Sequence, residues 1–147
     1  MDNKEKKIKI LLVDNDEMMS IYFRDIFWVH GYNNQYEVSV ASSLSEARKK
    51  ITEEKTRPDI IFLDAMIPTE GGNNNSESHI KESLSFIKEI KSHPELSKIN
   101  IVIYSGHIHK SLEKEAYNLG VNGYIIKGEF TPKEIITYTD KLHGSNN

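Results

Sequence analysis

The 147-residue chain contains no cysteine. That excludes disulfides, thiolate metal sites and cysteine nucleophiles, and leaves any covalent chemistry to oxygen or nitrogen nucleophiles. Long apolar runs are missing too: Ile8 to Val13 is among the longest and already contains Lys9, far short of a bilayer span. The opening, MDNKEKKIKI, lacks the apolar core of a signal peptide, so a cytoplasmic location without membrane contact is expected. An excess of positive charge is absent as well. Nineteen Lys and Arg stand against twenty-two Asp and Glu, a net charge of −3, which disfavours nucleic acid and anionic membranes as direct partners. No internal repeat is visible, and the low-complexity sequence is confined to Thr69–Ser78 and short polar tails. What remains, 37% hydrophobic and 28% charged, is the balance of one domain over 1–147 with its core at about 7–142.

Five apolar bursts have strand length: Ile8–Val13, Tyr36–Ala41, Ile60–Leu63, Ile101–Tyr104 and Gly123–Ile126. The first, third and fourth are nearly continuous Ile, Leu, Val and Phe, which suits strands buried on both faces of a parallel sheet. Between them helical spacing appears in Met18/Tyr22/Ile26/Val29, Leu44/Ala47/Ile51, Ile80/Leu84/Ile87, Leu112/Ala116/Leu119 and Ile135/Tyr138/Leu142. Ser43 with Glu46 forms a capping box, and Pro132 after Thr131 suits a first helical position. Gly31, Gly120 and Gly144 stand where helices should stop. The (βα)5 order predicts an α/β fold, a doubly wound five-stranded parallel sheet, with its site beyond the C-terminal ends of the strands.

The residues after each strand therefore carry the functional reading. The first strand runs into Asp14-Asn15-Asp16-Glu17, the third into Asp64, the fourth into Ser105 and the fifth into Lys127. Carboxylates clustered at one edge repel unless a cation neutralises them, and oxygen-only ligands favour a hard ion such as Mg²⁺. With one carboxylate as acceptor, a hydroxyl and an ammonium nearby can stabilise three equatorial phosphoryl oxygens, a set suited to acyl-phosphate chemistry. Taken singly each residue has a plainer reading: Asp14 or Asp16 as a helix cap, Ser105 as a turn residue, Lys127 as a solvated lysine. Their joint placement carries the inference.

The chain resembles the receiver domain of two-component response regulators over Lys7 to Leu142, in ILLVDNDE, PDIIFLDAMIP, IVIYSG and LGVNGYIIKGEF. That resemblance implies the flavodoxin-like receiver fold and a signalling protein rather than an enzyme. It implies phosphorylation of Asp64 by a sensor histidine kinase or phosphotransfer protein. It also implies Mg²⁺ held by Asp14, Asn15, Asp64 and the main-chain carbonyl of Met66, while Asp16 takes a position that in the family faces away and caps helix one, an accessory acid only after a small register shift. Ser105 and Lys127 resemble the pair that contacts the phosphoryl group, and Ser105 with Tyr124 the switch pair. Met66 and His107 take the two positions that flank the attacking water and set phosphoryl lifetime. A downstream protein target, or a second copy in a homodimer, is expected on the face of helix four, strand five and helix five, where Ile108, Tyr117 and Tyr138 are candidate contacts.

Three departures accompany the resemblance. The usual second acid after strand one is Asn15, so one ligand charge is missing. The loop at 67–80 is longer than usual by roughly ten residues, with a flexible composition. The usual Lys-Pro, preceded by a cis peptide, is Lys127-Gly128-Glu129 with one extra residue before Phe130, and glycine makes such a cis bond costly, which bears on the reach of Lys127. Two alternatives follow: a receiver-like interaction module independent of phosphorylation, and an aspartate-nucleophile phosphatase of the haloacid-dehalogenase type built on Asp14-x-Asp16. The second lacks the paired acids such enzymes need after the lysine strand. His107 and His109 spell H-x-H, read here as solvated loop histidines.

Overall fold

A computed structural model describes residues 6–31, 35–68 and 75–144. The elements run β1 (Ile8–Val13), α1 (Glu17–His30), β2 (Tyr36–Ala41), α2 (Leu44–Thr52), β3 (Ile60–Leu63), α3 (Ser76–Lys91), β4 (Asn100–Ser105), α4 (Lys110–Leu119), β5 (Gly123–Ile126) and α5 (Pro132–Gly144). The strands form one parallel sheet in the order β2-β1-β3-β4-β5. Alternation within the apolar runs divides the core in two. Leu11, Val13, Ile61, Leu63, Ile101 and Ile103 join the side chains of α2, α3 and α4. Ile10, Leu12, Ile60, Phe62, Val102 and Tyr104 meet α1 and α5 on the other face. The three central strands are covered on both sides, as their unbroken hydrophobicity requires. Among the described residues no helix is long and apolar enough to cross a membrane.

Three sequence expectations change. In α1 the buried residues are Phe23, Ile26 and Phe27. Of the expected stripe only Ile26 faces the core, while Met18, Tyr22 and Val29 are exposed. The helix is apolar around most of its circumference, so the 3.6-residue period selects two stripes. The aromatic one wins because Phe23 stacks against Phe62 and Tyr104, with ring centroids at 5.0 and 5.7 Å. Second, the long loop ends early. Ser76–Ile80 is already helical because the Asn75 side chain accepts from the Ser78 N–H at 2.7 Å, an N-cap that the surrounding low-complexity sequence conceals. Residues 69–74 of that loop and the polar tails at 1–5 and 145–147 lie outside the described residues.

Third, Ser43 caps α2 through the Glu46 N–H, but Glu46 returns to the Ser42 N–H and hydroxyl instead of to Ser43. Those bonds hold its carboxyl below the usual range. The reciprocal box sits at α5, where Thr131 and Glu134 exchange both bonds.

Candidate functional site

The parallel register brings the C-terminal ends of β1, β3, β4 and β5 together. The Asp14 N–H donates to Ala41, the Asp64 N–H to Val13, and the Lys127 N–H to Ser105. Each functional residue is therefore the first beyond a strand, or its last, tied by its own backbone to the neighbouring strand. Lys127 bridges the two acids. Its Nζ lies 2.7 Å from Asp14 Oδ2 and 3.5 Å from Asp64 Oδ2. The Asp14 side chain is fully buried and that of Asp64 is 12% exposed, so the ammonium offsets the cost of holding two carboxylates in a poorly solvated edge. The Nζ also stands 5.8 Å above the Tyr104 ring. Burial pushes the Tyr104 phenol up to about 12, so that ring stays neutral beneath the lysine.

The remaining carboxylate oxygens are held by backbone. Asp14 Oδ1 accepts from the Asp16 N–H at 2.9 Å, and Asp64 Oδ1 from the Met66 N–H at 3.0 Å. Burial raises the Asp64 carboxyl above its ordinary value; the Met66 N–H and Lys127 oppose that rise and Asp14 adds to it. The loop carrying Met66 is pinned by Ser83, fully buried on α3, whose hydroxyl donates to the Ala65 carbonyl at 2.9 Å. Sequence reading misses Ser83. Its signal is a small polar residue amid the Ile80/Leu84/Ile87 stripe.

Ser105 is 1% exposed and its Oγ has no hydrogen-bond partner among the described residues, a buried hydroxyl with its donor capacity unused. Tyr124, half-buried on β5, is tied to the β4–α4 loop. Its hydroxyl donates to the His107 carbonyl at 2.6 Å and accepts from the His109 N–H at 3.3 Å. Burial raises the phenol above its ordinary value. Asn15 and the His107 side chain are exposed and Met66 is half-buried. Asp16 is directed elsewhere: its carboxylate accepts from the Met18 and Met19 N–H groups as the N-cap of α1. No group of three or more His, Asp or Glu side chains placed to hold a metal occurs among the described residues, so His107 and His109 form no such set.

Lys127 reaches the acids without the expected Lys-Pro. All described peptide bonds are trans, Gly128 has φ +89°, and the Glu129 N–H closes a turn on the Ile126 carbonyl at 3.1 Å. A positive φ at the third position of that turn is what glycine supplies at little cost.

The donors at this edge are carboxylate, amide and main-chain oxygens around one buried, partly neutralised acid pair. That donor chemistry fits a small hard cation and not a thiophilic or imidazole-bound metal.

Among protein-family models the chain matches the response regulator receiver domain over residues 10–140. Solved structures with the same fold include a CheY-like receiver domain protein from Methanospirillum hungatei JF-1, with a TM-score of 0.73 at 20% identity over 97% of each chain. The phosphorylated cyanobacterial phytochrome response regulator RcpA gives 0.66 at 24%, covering 95% of this chain and 91% of its own. The Mn²⁺-bound form of response regulator Rcp1 gives 0.65 at 19%, covering 92% and 89%. No curated protein matches in sequence.

Proposed function

Because this chain belongs to the response regulator receiver domain family, we propose that it is a phospho-accepting switch of a histidine-to-aspartate phosphorelay. On this reading it is a single receiver domain that works in the cytoplasm through protein contacts, a signalling protein and not an enzyme. The observation that carries the proposal is Lys127 Nζ set between the buried Asp14 and Asp64 carboxylates, with Ser105 at the end of β4 holding a buried hydroxyl that has no hydrogen-bond partner among the described residues.

Asp64 is the acceptor. Its ionised carboxylate attacks the phosphorus of a phosphohistidine or small acyl phosphate. An O–P bond forms as the donor's bond to phosphorus breaks, and the donor leaves with the electron pair and takes up a proton. Lys127 stabilises one equatorial oxygen by charge and the Ser105 Oγ–H another by hydrogen bond. Asp14, Asn15, Asp64 and the Met66 carbonyl are the groups that would hold Mg²⁺, which when bound neutralises charge on the carboxylates and the incoming phosphoryl group. The family binds such ions, and one relative of the same fold was solved with Mn²⁺. Incubation with a small phosphodonor should give one phosphoryl adduct per chain, dependent on Mg²⁺ and abolished by EDTA. A chain that takes up none under any divalent ion would instead act as the phosphorylation-independent module.

Asn15 makes a separate prediction. A hard-ion site strengthens with ligand charge, so Asn15→Asp should tighten Mg²⁺ on the order of tenfold in a calorimetric titration. Equal affinities would mean that position 15 is not a ligand.

Output follows from Ser105. Drawn toward the new anion, it vacates space that Tyr124 can enter by giving up its bonds to His107 and His109, which shifts the face of α4, β5 and α5. Ile108 and Tyr117 are exposed there and are the proposed contacts for the downstream target. Tyr138 is half-buried, packed against the core with its hydroxyl over Gly123, and so offers less surface to a target than those two.

Lifetime of the phosphorylated state depends on aligning a water in line with the leaving carboxylate. Half-buried Met66 should exclude that water, and exposed His107 should orient it only weakly. Met66→Asn is expected to hasten decay several-fold, roughly the scale of one positioning hydrogen bond. His107→Ala should slow decay slightly. Slower decay in Met66→Asn would refute the shielding.

A further inference from the structure

Among the described residues, five of the seven large hydrophobics left exposed lie on α1, among them Ile21, Trp28 and Val29 at 52, 83 and 67% exposure. The mechanism above uses none of them. The same flank of the molecule ends in β2, an edge strand paired only to β1. Its residues are half-exposed from Tyr36 to Val40 apart from the exposed Glu37, the one charge on the strand, and it carries neither lysine nor proline, the strongest guards of a sheet edge. Between α1 and β2 lies a groove of about 620 Å³ lined by Phe27, Trp28, Tyr36 and Val38 together with Arg24 and Asp25. Arg24 and Asp25 take part in no ion pair among the described residues. An apolar helix face, a strand edge guarded by one charge and two opposite charges without an ion pair among the described residues thus share one surface, where a monomer rarely leaves so much apolar area.

We propose that this flank binds a second copy of the chain about a two-fold axis. The β2 strands pair antiparallel, joining two sheets into one, and α1 packs beside its counterpart. The surface is self-complementary in two independent ways. Tyr36-Glu37-Val38-Ser39-Val40 alternates apolar and polar residues identically from either end. With Val38 facing its own counterpart, Tyr36 meets Val40 and Glu37 meets Ser39, so aromatic and β-branched side chains pair and no like charges are opposed. Arg24 and Asp25 are adjacent, so a two-fold axis lets each pair with the other in the second copy, twice over. A standard interface takes about 800 Å² from each protomer. Trp28 contributes on the order of 150–200 Å² of that, and the strand edge, Ile21 and Val29 supply the rest. Pairing on this flank leaves the face of α4, β5 and α5 free for the downstream target.

Sedimentation equilibrium of the full chain at rising concentration tests the proposal. The parent should pass from monomer to dimer. Trp28→Glu and Arg24→Asp, both at exposed positions, should weaken the dimer by about tenfold or more with unchanged circular dichroism. Adding Asp25→Arg to Arg24→Asp should restore it, and Ser39→Lys should tighten it by placing an ammonium opposite Glu37. A parent that stays monomeric at the highest soluble concentration overturns the proposal. So does a dimer that persists in both weakening variants, or one that Tyr117→Glu on α4 abolishes.

Discussion

Lys127→Met should cost the metal-free protein about 3–5 kcal/mol of stability, the usual penalty for removing one partner of a buried ion pair. The side chain of Asp14 is wholly buried, and its Oδ2 has the Lys127 ammonium at 2.7 Å as its counter-charge. Methionine keeps the packing of the stem and removes the ammonium with its hydrogen bonds to the two acids, so the loss reports mainly the missing counter-charge and not a large cavity. Mg²⁺ should recover part of it, and more of it than the ion adds to the parent, because an ion that binds only the folded state stabilises by mass action and here replaces the missing positive charge. Urea unfolding of both proteins, with EDTA and with saturating Mg²⁺, measures this directly. Equal midpoints for parent and variant in EDTA would show that Lys127 does not neutralise Asp14.

Asp64→Asn should do two things of opposite appearance: lose all phosphoryl uptake and make the metal-free protein more stable at neutral pH. The stability change follows from burial, which raises the Asp64 carboxyl above its ordinary value. A native state that holds the proton more tightly than the unfolded chain loses stability as pH rises from the ordinary carboxylate range through the raised native pKa. That loss is complete once the pH stands above the raised native pKa. Asparagine never ionises, so its advantage over the parent should be nil in acid, grow through that window and persist above it. Thermal melts across pH in EDTA give the curve, and an advantage largest in acid would contradict it. The opposite signs expected for Lys127 and Asp64 distinguish a strained acid pair held by one cation from an ordinary salt bridge.

Much of this arrangement is legible in the sequence because parallel strands buried on both faces must be continuously apolar. Ile8–Val13 and Ile60–Leu63 declare themselves, and the first polar residue after each is the one the sheet presents at its edge. Where the structure departs, a local rule has been overridden by something the sequence does not print. The face of α1 is decided by which aromatic fits between Phe62 and Tyr104, and periodicity carries no information on fit when both stripes are apolar. The start of α3 depends on the Asn75 cap, one polar residue among many. Lys127 is presented by a glycine turn whose backbone angle no pattern of side chains reveals. The role of Ser83 emerges only when α3 is laid against the loop after Asp64.

The central claim is that Asp64, and not Asp14, takes the phosphoryl group. Intact mass after incubation with a small phosphodonor and Mg²⁺, run on the parent, Asp64→Asn and Asp14→Asn side by side, tests it most directly. A single adduct is expected on the parent, none on Asp64→Asn, and slow, metal-hungry uptake by Asp14→Asn because that residue would serve the metal and not the phosphorus. An adduct that survives Asp64→Asn but vanishes in Asp14→Asn would contradict it.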